Sequence, residues 1–246
     1  PWGISALVPS IEITDEQLNA DGFIDAMSVI DSFNQRQTNA DRPIAIVDTI
    51  EVKTFSTAST QAISQHTPDS INAFLEIEWQ TDPDASIAAI QKLNRANLFA
   101  KIRSGGVQAD LIPSPEQVAR FLIRCAQRNV GLKATAGLHH PLRGNYRLTY
   151  EPDAEYGMMH GFVNVFVAAC LAFGGKIADI ETLARVIASD SAQDFILNDE
   201  AIGFQDLKLD QATIAKIRQS SMISFGSCSF DEPSVEVGET FQLATI

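Results

Sequence analysis

The chain has 246 residues, 45% of them hydrophobic and 20% charged, with 31 acidic side chains against 18 basic ones and a formal net charge of −13. That balance opposes the phosphate backbone, whose neutralisation by Lys and Arg drives most nucleic-acid affinity, so nucleic acid is not expected as a partner. No run reaches the roughly 18 apolar residues that a membrane helix needs, and no basic start followed by an apolar stretch resembles a secretion signal; a cytoplasmic protein without a membrane partner is expected.

The apolar fraction is large enough to bury a sizeable core, and the length suits one α/β barrel-like domain over residues 1–246. The chain opens on Pro1 rather than Met, which leaves room for a preceding segment able to hold a strand. Cys125, Cys170 and Cys228 are odd in number and far apart, and they are expected as reduced core residues.

In chain order, Thr14-Asp15-Glu16-Gln17 carries helix-start chemistry and predicts a helix near the N-terminus. A β-branched apolar run predicts a strand over 44–52, and AFLEIEW predicts another over 73–79. Asp82-Pro83-Asp84 opens a helix that ends near Arg95, and a strand follows over 98–103. Ser114-Pro115-Glu116-Gln117 is a strong helix start, because Ser caps, Pro suits the first helical position and Gln reaches back; that helix runs to about Asn129. A strand is predicted over 131–136, then a polar, aromatic loop of roughly 15 residues, RGNYRLTYEPDAEYG, long enough to suggest a functional role. An apolar helix over about 158–173 stops at Gly174-Gly175, a helix follows over about 178–189, and a last strand lies over 222–228.

Strand, helix and strand in alternation with short links predict βαβ units and a parallel sheet. A (β/α) barrel of TIM-barrel type, complete or irregular, is favoured over an open doubly wound sheet, because neither G-x-G-x-x-G nor G-x-x-x-x-G-K-[ST] occurs.

Strand parity then collects charge. Glu76 and Glu78 share one face of their strand, Lys101 and Arg103 of the next, and Lys133 and Thr135 of the third. Parallel strands are ordinarily apolar on both faces, so two glutamates, two lysines and an arginine on three of them form either an internal ion-pair network or a ligand site. Both lysine strands run into glycine, Gly105-Gly106 and Gly137, which is expected to leave room for a ligand at the strand ends.

KIRSGG and KATAGL, in that order, resemble paired strand ends of class I aldolases of the deoxyribose-phosphate type, which read K-T-S-T-G and K-A-S-G-G. The second shares Lys133, Ala134 and Gly137, and the first shares Lys101, Ser104 and Gly105. The resemblance covers about a dozen residues. It implies Lys101 as Schiff-base nucleophile and Lys133 as the neighbouring cation that lowers its pKa, with lyase or aldolase activity. Glu76 or Glu78 would shuttle protons by chemical inference, and Arg103 stands where that family has a small residue. KATAGLHHPLRG also resembles a segment of bacterial proteins, a likeness that carries no activity with it.

His139 and His140 follow the strand end, and in extended chain they would point to opposite sides; one of them is expected at the site, with His140 taken as catalytic and His139 as substrate-binding. Arg103, Arg143 and Arg147 suit a carboxylate or phosphate, so the expected partner is a small anionic molecule, bound also by Thr135, Gly105 and Gly106. For Arg143 and Arg147 the alternative is pairing with Glu151, Asp153 or Glu155 in the loop. His160 and Asn164 make a polar notch on an apolar helix that ordinarily satisfies itself. No cofactor is expected; the alternative is a divalent metal held by one histidine with Glu76, Glu78 and His160, in metal-assisted chemistry. A non-catalytic small-anion binder is the third reading, and association into a homo-oligomer is compatible with all three.

Overall fold

A computed structural model describes residues 2–14, 17–151, 153–226 and 231–242. The chain divides into two compact units, Pro1–Glu78 with Pro83–Lys101, and Trp79–Asp82 with Ile102–Ile246.

The first unit runs β1 (Trp2–Leu7), β2 (Glu12–Thr14), β3 (Gln17–Asn19), α1 (Asp21–Thr38), β4 (Ala45–Lys53), α2 (Thr57–His66), β5 (Asn72–Glu76), α3 (Asp84–Leu93) and the start of β6 (Leu98–Arg103). β1, β4, β5 and β6 pair in parallel, with Lys53 opposite Glu76 and Glu76 opposite Lys101. Ala73, Phe74 and Leu75 are all buried, as a parallel strand covered on both faces requires. Each connecting helix is stopped locally: Ser56 and Ser59 form a reciprocal cap at the start of α2, and Asn94 ends α3 in the left-handed conformation.

The helix expected near Thr14 is not there. Asp15 and Glu16 lie outside the described residues, and the segments on either side are β2 and β3, paired antiparallel with Ile13 opposite Leu18. The alternation E-I-T and Q-L-N has a period of two, which outweighs the capping residues, and α1 begins only at Asp21.

The second unit holds α4 (Pro115–Arg128), β7 (Leu132–Thr135), β8 (Gly144–Arg147), β9 (Tyr156–Met159), α5 (Phe162–Phe173), α6 (Ile180–Ala188), β10 (Phe195–Leu197), β11 (Ala201–Phe204), β12 (Leu207–Asp210), α7 (Gln211–Ser220), β13 (Met222–Phe225) and α8 (Asp231–Phe241). α4 is capped as its sequence dictates, Ser114 accepting from Gln117 N and Gln117 accepting from Ser114 N, and it buries Val118, Phe121, Leu122 and Cys125 along one stripe. β7 and β13 pair in parallel. The loop expected at 143–157 contains a hairpin, β8 against β9, and this pairing takes Met158 and Met159 out of the expected helix, so α5 starts after Gly161.

The main sheet has the strand order β1-β4-β5-β6-β7-β13. The α/β class with parallel strands and helical crossovers is therefore observed. The order has two ends, however, and six strands among the described residues do not make a complete eight-stranded barrel. Cys125 and Cys170 are free and buried, with burial pushing the Cys125 thiol well up and that of Cys170 to about 12, so both are inert core residues. Cys228 lies outside the described residues.

Candidate functional site

Lys101 is the centre of the charged set in the first unit. Its Nζ lies 2.7 Å from Glu51 Oε2 and 2.8 Å from Glu76 Oε2, and the residue is only 4% exposed. The register explains the meeting with Glu76, which stands directly opposite Lys101 across β5 and β6. Glu51 reaches in from β4 and is a carboxylate that strand parity on the lysine strands alone does not reveal. Its local trace is an acid set between two buried residues, Ile50 and Val52, in the β-branched run of β4, IVDTIEV. Two carboxylates and one ammonium with little access to water attract strongly at these distances, while the ions carry a desolvation cost that only such geometry offsets.

Glu78 does not join them. β5 ends at Glu76, so the alternation that places both glutamates on one face stops short of Glu78, which is exposed. Arg103 is also exposed, and its Nε donates to Gly105 O at 3.2 Å. Lys133 and Thr135 are half-buried on β7, with Ser224 of β13 opposite Lys133.

The glycines after the lysine strands are closely packed, Gly105 against Gly137 and Gly106 against Leu111. A Cβ on Gly105 would sit 2.7 Å from Gly137 Cα, and one on Gly106 would meet Leu111 at 2.5 Å. Ser104, fully buried, clamps the same junction by donating Oγ to Thr135 O at 3.0 Å and to Ala136 O at 2.8 Å. Ala136 and Gly137 both have positive φ, 64° and 71°, so β7 turns sharply here.

That turn also carries His139 and His140 out of extended geometry, and both border one cavity of about 590 Å³, instead of facing opposite sides. β8, β9, the loop between them and α8 complete its wall, with Tyr146, Arg147, Tyr156, Glu232 and Glu236 among the lining residues. His140 Nδ1 is 2.9 and 3.0 Å from the two oxygens of Glu236, and its ring stacks on Tyr146 with centroids 3.5 Å apart. A carboxylate only accepts, so Nδ1 carries a hydrogen and donates it to Glu236. Burial, with the neighbouring His140 charge, lowers the His139 pKa against the opposing Glu232 charge, while burial and Glu236 raise that of the Tyr146 hydroxyl. Glu236 is 96 residues beyond His140 and no spacing in the sequence signals the pairing.

Arg143 and Arg147 part company. Arg147 lines the cavity, and its Nε donates to Tyr156 OH at 3.1 Å while its guanidinium lies 5.8 Å from that ring's centroid. No carboxylate among the described residues is within ion-pair distance of it, so the expected alternative of pairing with the loop acids is not observed for Arg147. Arg143 is half-buried, its backbone N donating to Asn164 Oδ1 at 3.0 Å and its Nε buried with no hydrogen-bond partner.

Asn164, fully buried on α5, also donates to Val186 O, Ile187 O and Ser189 O, which ties α5 to the end of α6. His160 precedes α5 and its Nε2 donates to Pro113 O at 2.7 Å. Both residues therefore satisfy backbone groups, as polar side chains in a core ordinarily do. Burial drives the His160 pKa down to about 4, with the Arg143 charge adding to it and the Pro113 bond opposing. The folded value lies below the unfolded 6.5, so the native state holds its full advantage above pH 6.5 and loses it as pH falls toward 4. The loss is about 3 kcal/mol. Urea unfolding midpoints of the parent and of His160→Gln, taken from pH 7 to pH 4, should show that the variant has lost this part of the slope.

Among the described residues no three His, Cys, Asp or Glu side chains lie close enough together to hold a metal ion, and no helix is long and apolar enough to cross a membrane. Comparison with protein-family models, with curated proteins and with solved structures gives no match to this chain.

Proposed function

We propose that the protein is an enzyme of the lyase or aldolase type acting on a small anionic carbonyl compound through an imine on Lys101. The reading is carried by one observation: a buried amine held at 2.7 and 2.8 Å between two carboxylates on parallel strands. An ammonium so placed presents N–H donors, and attack on a carbonyl needs a lone pair, so the first step is transfer of a proton from Nζ to Glu76 or Glu51. The amine then adds to the carbonyl carbon, the protonated acid returns its proton to the oxygen to give the carbinolamine, and a second proton, lost by Nζ and passed through the same carboxylate, lets that hydroxyl leave as water. The iminium that remains accepts the electron pair of the breaking carbon–carbon bond. Barrel-type enzymes place such groups toward the C-terminal ends of their strands, and Glu76 ends β5 while Lys101 lies two residues before the end of β6.

The experiment is reductive trapping. Incubation with a panel of small keto acids and phosphorylated aldehydes, followed by borohydride and peptide mass spectrometry, should place a reduced adduct on Lys101, absent from Lys101→Met. An adduct found only on exposed lysines, or on none, would remove imine chemistry; retention of an anionic compound without an adduct would favour the binding-protein reading.

A further inference from the structure

The cavity bordered by the β8–β9 hairpin and α8 takes no part in the lysine chemistry, and its wall carries a donor set of its own. Arg147 and Tyr156 stand opposite each other across β8 and β9, and Arg147 Nε donates to Tyr156 OH at 3.1 Å. The phenol oxygen acts there as acceptor, so its own hydrogen is left to give, and the guanidinium keeps the donors of both Nη atoms, which no hydrogen bond among the described residues occupies. Arg147 is also the one lysine or arginine among the described residues that line the cavity. A planar fork of N–H groups beside a phenol O–H matches a carboxylate, whose two oxygens can accept from both. One guanidinium also matches one negative charge better than it matches a phosphate dianion.

The apolar part of the wall is aromatic. Tyr146 and Tyr156 line it together with the His140 ring, and the aliphatic side chain there, Leu148, is buried. Tyr146 already stacks on His140 with centroids 3.5 Å apart, which shows how such a ring packs in this wall. Tyr156 remains 56% exposed although the Arg147 guanidinium lies 5.8 Å from its centroid, so ring surface is open to a ligand beside the donor set. A ring laid offset on Tyr156 brings a carboxylate at its edge to the hydroxyl and the guanidinium together. The volume of about 590 Å³ lies within the range of small-molecule sites and is too large for a lone ion.

We propose that this cavity binds a small aromatic monocarboxylate, its carboxylate on Arg147 and the Tyr156 hydroxyl and its ring on the Tyr156 face. The site shares no residue with the Lys101 trio, and its ligand is bound whether or not an imine forms there.

The test is titration of the full chain with benzoate, phenylacetate and 3-phenylpropionate, beside their amides and their cyclohexyl counterparts, read by calorimetry and by amide shifts in nuclear magnetic resonance. The best-fitting acid should bind at least about tenfold more tightly than its amide, the scale of a charge-assisted contact, and at least about threefold more tightly than its cyclohexyl counterpart, the scale of an aromatic pair. Arg147→Gln should bring the acid down to the affinity of the amide, and Tyr156→Leu should make the acid and its cyclohexyl counterpart bind equally. Both variants should keep the parent's circular dichroism and thermal midpoint, because both side chains are exposed. In the parent, equal binding of acid and cyclohexyl counterpart would show a plain carboxylate site, equal binding of acid and amide an apolar one, and tighter binding of phenyl phosphate than of any acid a phosphate site; each overturns the proposal. So does an affinity that Arg147→Gln leaves unchanged, or a parent chain that gives neither heat nor a shifted amide signal with any of these compounds up to about 10 mM.

Discussion

Gly137→Ala is expected to destabilise the protein by about 4 kcal/mol, lowering the thermal midpoint by about 10 °C. Two costs combine. Gly137 has φ +71°, a conformation that costs an alanine about 1–2 kcal/mol. The added Cβ would then lie 2.9 Å from Gly105 Cα, and no side chain can rotate out of the way, because the obstacle is backbone. Overpacking of that kind costs about 1–3 kcal/mol. Ser104 makes retreat harder, since its buried hydroxyl and its N–H both bond to the Thr135–Ala136 backbone. Gly175→Ala supplies the control: φ is +68° there, but nothing lies within 4 Å of the new methyl group, so only the conformational cost of about 1 kcal/mol applies. Urea unfolding of the two variants should separate them by about 3 kcal/mol. Equal losses would mean that the two strand ends can move apart.

The same junction shows where reading the sequence succeeds and where it stops. Ser114-Pro115-Glu116-Gln117 and Asn129 delimit α4 because caps act between residues three or four apart, and the parallel α/β class follows from alternation of equally local patterns. Lys101 and Glu76 could be expected to meet from parity alone, because register between neighbouring parallel strands keeps side chains of one face together. What fails is whatever depends on where a strand ends. Glu78 continues the alternation on paper, yet β5 stops at Glu76 and Glu78 falls into solvent. Gly105 and Gly137 signal a close backbone approach, but composition cannot say whether the approaching group is a ligand or the other glycine. Glu51 and Glu236 were hidden for a different reason: each meets its partner through the tertiary fold, 50 residues from Lys101 and 96 residues from His140, where no local rule reaches.

The Lys101 trio is where a single substitution should do the most harm. Lys101→Met takes from Glu51 and Glu76, each with a side chain only 12% exposed, the ammonium that both of them contact, and breaking a buried pair by removing one partner costs about 3–5 kcal/mol. Removing the charges together should cost far less, because the desolvation that the ion pairs must offset disappears with them. Lys101→Met combined with Glu51→Gln and Glu76→Gln is therefore expected to recover most of the loss, to within about 2 kcal/mol of the parent. Urea midpoints of the single, double and triple variants give the coupling directly. A mild effect of Lys101→Met, below about 1 kcal/mol, would show that water reaches the trio and screens it. The triple variant matters for chemistry as well: it keeps the strands packed while deleting the amine and both proton carriers, so a folded triple variant that forms no imine ties the adduct to these three groups, not to the integrity of the sheet that holds them.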